Sequence, residues 1–413
     1  MEMSKDVRHL PIMTTLFVLF LGTMGTGFKR VCYYAPKHHI TVDLKALDLT
    51  LCTHIIYGFA HVSINYTLVP KNRTIDPERY TNFTTYLEEQ APNVTRLLCV
   101  SEGNFSVMTG NSTHRHTFIK SALEQLEKWK FHGLDVDWEF PNKYNKHKED
   151  KPHFQTFLQE LYDQLHPKNM TLTIAIPGWS SYIENGFDAR MVANISKLIS
   201  FANLMSYDYN VFNNRSRPFT GPNSPLNETS TFKNPYSREE TRYLIWSARN
   251  WSKALNLTKE KIVVGISFFG RRFRLRNVGK HRFHAPAVPL ETEDQVRKKV
   301  RVDAKVSYNW TCHFLMRPGT QKRWDNVSHT PYAFNRHTWV SYDDEHSVAD
   351  KVKWILKHGY GGVMTYTLND DDMNGDCDKA NKSAAASPAS PPKKFPLQRT
   401  VYDLTKSASV CTS

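Results

Sequence analysis

The 413-residue sequence is short of several features that would each have fixed a function class. Its apolar run Leu10 to Leu21 is too short for a comfortable membrane span. Gly361-Gly362 is no phosphate loop, because it opens an apolar strand and no Lys-Ser/Thr follows. His38-His39 and the pair His114 and His116 lack a third partner at metal-ligand spacing, so neither a metal nor another cofactor is expected. Acidic residues are in deficit, 40 against 54 Lys and Arg, for a formal charge of +14. The basic clusters Lys143 to Lys151, Arg271 to Arg276 and Arg297 to Arg301 accompany no nucleic-acid-binding motif, which removes nucleic acid as an expected partner. They read as solvated surface, able to attract anionic glycans.

What is present points to export. Lys5, Arg8 and His9 precede the apolar run, and small residues Gly25 and Gly27 follow it, so residues 1–27 read as a secretory signal, with a signal anchor as the alternative. Removal of the signal leaves no membrane span, and an extracellular monomer is expected. Asn-x-Ser/Thr sequons recur along the chain, from Asn65 to Asn381, far above chance, as in a heavily glycosylated secreted protein. Of the six cysteines, some should pair in an oxidising compartment, with many connectivities open. Cys99, inside an apolar strand, reads as a buried free thiol, and Cys411 stays unassigned.

The stretch Phe131 to Pro141, FHGLDVDWEFP, carries the densest chemistry. Asp135, Asp137 and Glu139 are spaced i, i+2, i+4, which in a strand aims all three carboxyls at one side while Leu134, Val136 and Trp138 fill the other. Unpaired buried charge costs several kcal/mol, so these groups must share protons or hydrogen bonds, or line a wet cavity. Such surroundings keep one carboxyl protonated near neutral pH.

Eight apolar runs of strand length alternate with amphipathic segments: Arg30 to Tyr34, His54 to Ala60, Arg96 to Val100, Gly133 to Trp138, Thr171 to Ile176, Phe201 to Tyr207, Ile262 to Ser267 and Gly361 to Tyr366. Helices are expected at Thr113 to Lys130, Pro152 to Leu165, Ser237 to Leu255 and Ser347 to His358. The reading is α/β, a (β/α)8 TIM barrel over residues 28–378 with Glu139 at the C-terminal end of a strand, where chemistry collects. Residues 272–340 interrupt the rhythm, and residues 379–413 turn to Ala, Ser, Pro and Lys, the composition of a disordered tail.

DVDWEFP resembles the core of the DxxDxDxE signature of family 18 glycoside hydrolases, the chitinases and chitinase-like lectins, with His132 where the first Asp normally stands. The likeness extends over VCYYAP near Cys32, LCTHIIYGFAHV around Cys52, Met205-Ser206-Tyr207-Asp208, and KIVVGISFFGRRFRL from Lys261. It implies that 272–340 is the α+β insertion walling a substrate groove before the last strand, and that Cys32 pairs with Cys52 and Cys312 with Cys377. It also implies a retaining mechanism in which the substrate's own 2-acetamido oxygen is the nucleophile. Glu139 would be the acid, Asp137 would orient the acetamide, Asp135 would share a proton with Asp137, and Tyr207 would donate to the acetamide carbonyl. Tyr34, Phe59, Glu102, Gly103, Met205, Asp208, Phe269, Arg271 and Tyr366 would bind the sugar.

The departures concern stacking rings. Gly103 stands where the family places a Trp, the eighth-strand Trp is Tyr366, a first-loop Trp is lost near Lys37, and Phe269 replaces a Tyr. The resemblance therefore implies a secreted hydrolase of β-1,4-linked N-acetylglucosamine, chitin or its oligomers. A lectin of the same fold that binds those oligosaccharides is the alternative, and a basic glycoprotein acting through its surface on polyanions is a third reading.

Overall fold

The computed structural model describes residues 27–36, 44–229, 241–292, 295, 297, 302–378 and 392–408. The signal segment up to Gly25, Lys37, His38-His39, the sequon at Asn381 and Cys411 lie outside the described residues. Among those described, no helix is long and apolar enough to cross a membrane.

Eight parallel strands form the barrel: β1 (Lys29–Tyr34), β2 (His54–Val62), β3 (Thr95–Glu102), β4 (Gly133–Val136), β5 (Thr171–Pro177), β6 (Phe201–Met205), β7 (Ile262–Ser267) and β8 (Gly362–Tyr366). Each pairs with its neighbours in chain order, and β1 closes the ring by pairing with both β2 and β8. Alternation along the strands sorts the side chains. Val31, Tyr33, Ile56, Leu97, Cys99, Val263 and Met364 fill the barrel's inside. Cys32, Tyr34, Ile55, Leu98, Leu134, Ile174 and Val264 face the surrounding helices in the larger core.

The helices Ser112–Lys128, Asp150–Leu165 and Glu345–Lys357 match the expected amphipathic segments within a few residues. The fourth is shorter: its described part starts at Leu244 and passes at Arg249 into a π-helical turn, Asn250–Ala254. Between β7 and β8 a second, antiparallel sheet is built on Phe269–Leu275, which pairs with Thr338–Ser341 on one side and Lys305–Ser307 and Ala287–Val288 on the other. Together with the helix Tyr308–Leu315 it makes up the α+β insertion. The insertion has its own core around Phe273, Phe283, Tyr332 and Trp339.

The expectation of a disordered tail through 379–413 needs correction. Pro396–Thr405 is a helix that packs on the helix Glu345–Lys357. Phe395, Leu397 and Val401 enter the main core, and Gln398 is fully buried. The buried Asp371 carboxyl accepts the N–H groups of Leu397 and Gln398, so the helix start has its orphan donors satisfied. Averaging composition over the whole tail hid the i, i+4 pair Leu397 and Val401.

The disulfides are Cys32–Cys52 and Cys312–Cys377, and Cys99 is a buried free thiol. Non-reducing peptide mapping is expected to recover these two linkages and an unlinked Cys99 peptide. A Cys99 peptide joined to any other would contradict the arrangement.

Candidate active site

The hydrogen-bonded part of β4 ends at Val136, two residues short of the expected strand. Asp137 stays aligned through its N–H bond to the Val100 carbonyl, and the chain then climbs out of the barrel. The three carboxyls therefore lie at increasing height. Asp135 is fully buried, Asp137 is 6% exposed, and Glu139 opens into a cleft of about 780 Å³ at the strands' C-terminal ends.

Asp135 is held by neutral donors. Tyr33 Oη donates to one oxygen at 2.5 Å, and Thr173 Oγ1 at 2.5 Å and Asn203 Nδ2 at 3.1 Å donate to the other. Burial pushes its pKa up and these bonds oppose the rise. Asp137 has far less support: Ser101 Oγ donates to Oδ2 at 2.9 Å, while Oδ1 is buried with no hydrogen-bond partner. Burial, followed by the charges of Glu139 and Asp135, holds its pKa well above the usual carboxylate range. Both carboxyls are thus pushed toward the protonated form, and Asp137, with fewer donors to oppose the rise, is pushed further. Burial also raises the pKa of Glu139, but Lys143 works against the rise and open cleft water limits it.

Tyr207 is buried beside Tyr366, ring centroids 5.6 Å apart, with Phe269 edge-on beneath it at 5.7 Å. Asp208, with φ 59°, accepts from Arg271 Nε at 2.6 Å and donates its N–H to Asn223. Phe59, Glu102, Met205, Tyr207, Asp208 and Tyr366 all line the cleft. Among the described residues, no group of His, Cys, Asp and Glu could hold a metal ion.

Residues 29–371 match the profile described as "Glycosyl hydrolases family 18". The chain belongs to that family. It is 28% identical over 385 residues to the oviduct-specific glycoprotein of Mus musculus, a match covering 89% of this chain and 50% of that protein. The chain thus spans about half the length of the curated relatives it matches. The Group IV chitinase of Ostrinia furnacalis superposes with a TM-score of 0.79 at 25% identity, over 92% of this chain and all of that one. Human YKL-39, described as a pseudo-chitinase with retained chitooligosaccharide binding, has the same fold at a TM-score of 0.76 and 24% identity, over 92% and 100% of the two chains.

In this family 18 barrel four of the expected sugar contacts lie elsewhere. Tyr34 points outward, stacked on Phe83 at 5.7 Å, because alternation along β1 sends its neighbour Tyr33 inward instead. Phe269 is 1% exposed and supports the two tyrosines from below. Arg271 is bonded to Asp208 and does not line the cleft.

Gly103 is also absent from the lining, and a Cβ built there would lie 2.4 Å from the Val62 carbonyl oxygen, on a backbone with φ +116°. Restoring the family's ring by Gly103→Trp is therefore expected to cost about 2 kcal/mol or more of stability through left-handed strain and overpacking. Thermal unfolding tests it. A variant as stable as the parent would show that the Gly103 backbone relaxes freely.

Beside the expected residues stands a wall that the sequence reading missed. Trp179, Tyr182 and Phe140 form a continuous ring stack, with centroid distances of 5.7 and 4.6 Å, and Tyr144 meets Tyr182 edge-on. Trp179 comes two residues after the end of β5, so the rule that flagged Glu139 near the end of β4 would have flagged it too.

Proposed function

We propose that this chain is a secreted glycoside hydrolase that cleaves β-1,4-linked N-acetylglucosamine oligomers with retention, using the substrate's acetamide as nucleophile. The observation that carries the reading is the orphaned, buried Oδ1 of Asp137, set between the fixed Asp135 and the exposed Glu139. A buried carboxyl oxygen without a partner is costly unless something supplies a hydrogen bond, and a bound acetamide N–H is such a donor. Glu139 protonates the leaving oxygen and then deprotonates water, Asp137 orients the acetamide, and Tyr207 donates to its carbonyl. Asp135, tied by three donors, fixes the electrostatic ground on which Asp137 titrates.

Export is supported by the sequence's leader pattern, by two disulfides, and by sequon asparagines none of which, among those described, is buried. Binding without turnover is the second reading. Glu102 paired with Lys71 at 2.6 Å, beside the glycine that stands in place of a stacking Trp, favours it. Turnover of a short fluorogenic chitooligosaccharide decides between the two. Release of fluorophore at a rate above buffer supports hydrolysis, and binding of the same oligomer with no release assigns the lectin role.

A further inference from the structure

We propose that Asn214 carries an N-linked glycan and that this glycan ends the sugar path along the ring wall, so that the cleft takes short oligomers and chain ends in preference to the interior of a polymer. The inference rests on the proposed reading, through export for the glycan and through Glu139 for the point of cleavage.

Asn214-Arg215-Ser216 is a sequon at the tip of a tight hairpin. Asn213 and Arg217 close the hairpin by exchanging backbone hydrogen bonds of 3.1 and 2.8 Å. The Asn213 side chain accepts the N–H groups of Arg215 and Ser216 at 3.0 and 2.9 Å, which satisfies the turn from within. Asn214 is exposed, and its side chain makes no hydrogen bond among the described residues. Other sequons are less open: the Asn309 amide donates to Asp372 at 3.1 Å and to Asp376 at 3.3 Å. Modification of Asn214 therefore breaks no contact of the fold. In that step the amide nitrogen bonds to the anomeric carbon of a lipid-linked oligosaccharide diphosphate. The carbon's bond to the diphosphate oxygen breaks, that oxygen keeps the electron pair, and the amide proton passes to the departing lipid diphosphate.

What the glycan does follows from where the hairpin sits. Asn213, Ser216 and Arg217 flank Asn214 and line the cleft. Phe140, next to Glu139 in the chain, Tyr182 and Trp179 stack in that order, and Arg217 lies over the Trp179 ring at 4.4 Å. The wall thus leads from the acid outward to the hairpin. A sugar chain stacked along it meets Asn214 at its far end, where a branched glycan is far bulkier than the side chain that bears it. Sugars nearer the acid are untouched. A chain end fits beneath the glycan, whereas an unbroken strand must pass through the space the glycan fills.

The test begins with the full chain secreted from a eukaryotic cell, digested, and treated with peptide N-glycosidase in heavy-oxygen water, which leaves a labelled aspartate at each asparagine that bore a glycan. The label is expected at Asn214. Binding of chitotriose and chitohexaose is then measured by calorimetry in the Glu139→Gln background, where turnover does not consume the ligand. Adding Asn214→Gln is expected to tighten chitohexaose about fivefold, the worth of a regained stacking contact, while chitotriose changes less than about twofold. Trimming the glycans of the folded protein to single-sugar stumps should give the same gain without a substitution. Asn82→Gln, which removes an exposed sequon on the helix Asp76–Gln90, should give none.

Absence of the label from Asn214 in the secreted chain overturns the inference and leaves the proposed function standing. A glycosylated Asn214 whose loss, by substitution and by trimming, leaves chitohexaose binding unchanged or tightens both oligomers alike also overturns it. A chain that stays in the cell and bears no glycan overturns it together with the export it rests on. Failure of both oligomers to bind in every form overturns the proposed function as well.

Discussion

Glu139→Gln is expected to lower turnover of a short N-acetylglucosamine oligomer by about 10²–10⁴-fold, the range set by loss of a general acid, with binding changed by no more than a few-fold. The amide keeps the shape and hydrogen-bonding reach of the side chain and loses only the transferable proton. Such a group contributes in the transition state and little in the ground state, so kcat should fall with KM nearly unchanged. Two neighbouring carboxyls are poorly placed to take over: Asp135 is sealed inside the barrel, and Asp208 is engaged by Arg271.

The pH profile gives a second readout. Because burial raises the Glu139 pKa, the proton is retained to higher pH than in a free glutamate, and activity should decline as pH rises through that raised value. Lys143 opposes the rise, so Lys143→Gln should move the declining limb to higher pH. A Glu139→Gln protein that turns over like the parent removes Glu139 from the mechanism.

The barrel was legible because its signals are periodic and local. Apolar strand runs and the i, i+2, i+4 carboxyls survive any rearrangement of loops, and both led to the observed positions. What stayed hidden depends on parity and on partners distant in sequence. Tyr33 and Tyr34 are adjacent and chemically alike, and only the register of β1 against β8, which pairs Tyr33 with Tyr366, decides which one faces inward. The donors to Asp135 come from β1, β5 and β6, a convergence that no single stretch announces. The same is true of Lys143 and Arg217, far apart in sequence, which meet one ring wall only after the barrel closes.

Asp137→Asn is expected to abolish turnover and yet to stabilise the fold at neutral pH, while Asp135→Asn, two residues away, should destabilise it. The sign follows from the protonation states. Burial and neighbouring carboxylates hold the Asp137 pKa well above its unfolded value of about 3.9. The folded state therefore binds the Asp137 proton more tightly than the unfolded chain does. That contribution is fully present below the unfolded pKa and is lost as pH rises through the folded one. Asparagine is neutral at every pH and keeps it, so at pH 7 the variant should gain about 1–2 °C in Tm, the shift that ~1 kcal/mol gives a domain of this size. The gain should shrink to nothing as the pH approaches the unfolded carboxyl's range.

Asp135 differs in its hydrogen bonds, which oppose the rise that burial still imposes on its pKa. Three donors converge on two oxygens, and an amide presents one oxygen and one N–H₂ group. At least one of Tyr33, Thr173 and Asn203 is then left facing a donor in a sealed interior, at a cost of about 1–3 kcal/mol. Thermal melts of both variants from pH 4 to pH 8 separate the two cases. A pH-7 melt in which Asp137→Asn is less stable than the parent, or a difference that does not change with pH, would mean that Asp137 is not the carboxyl that holds the buried proton.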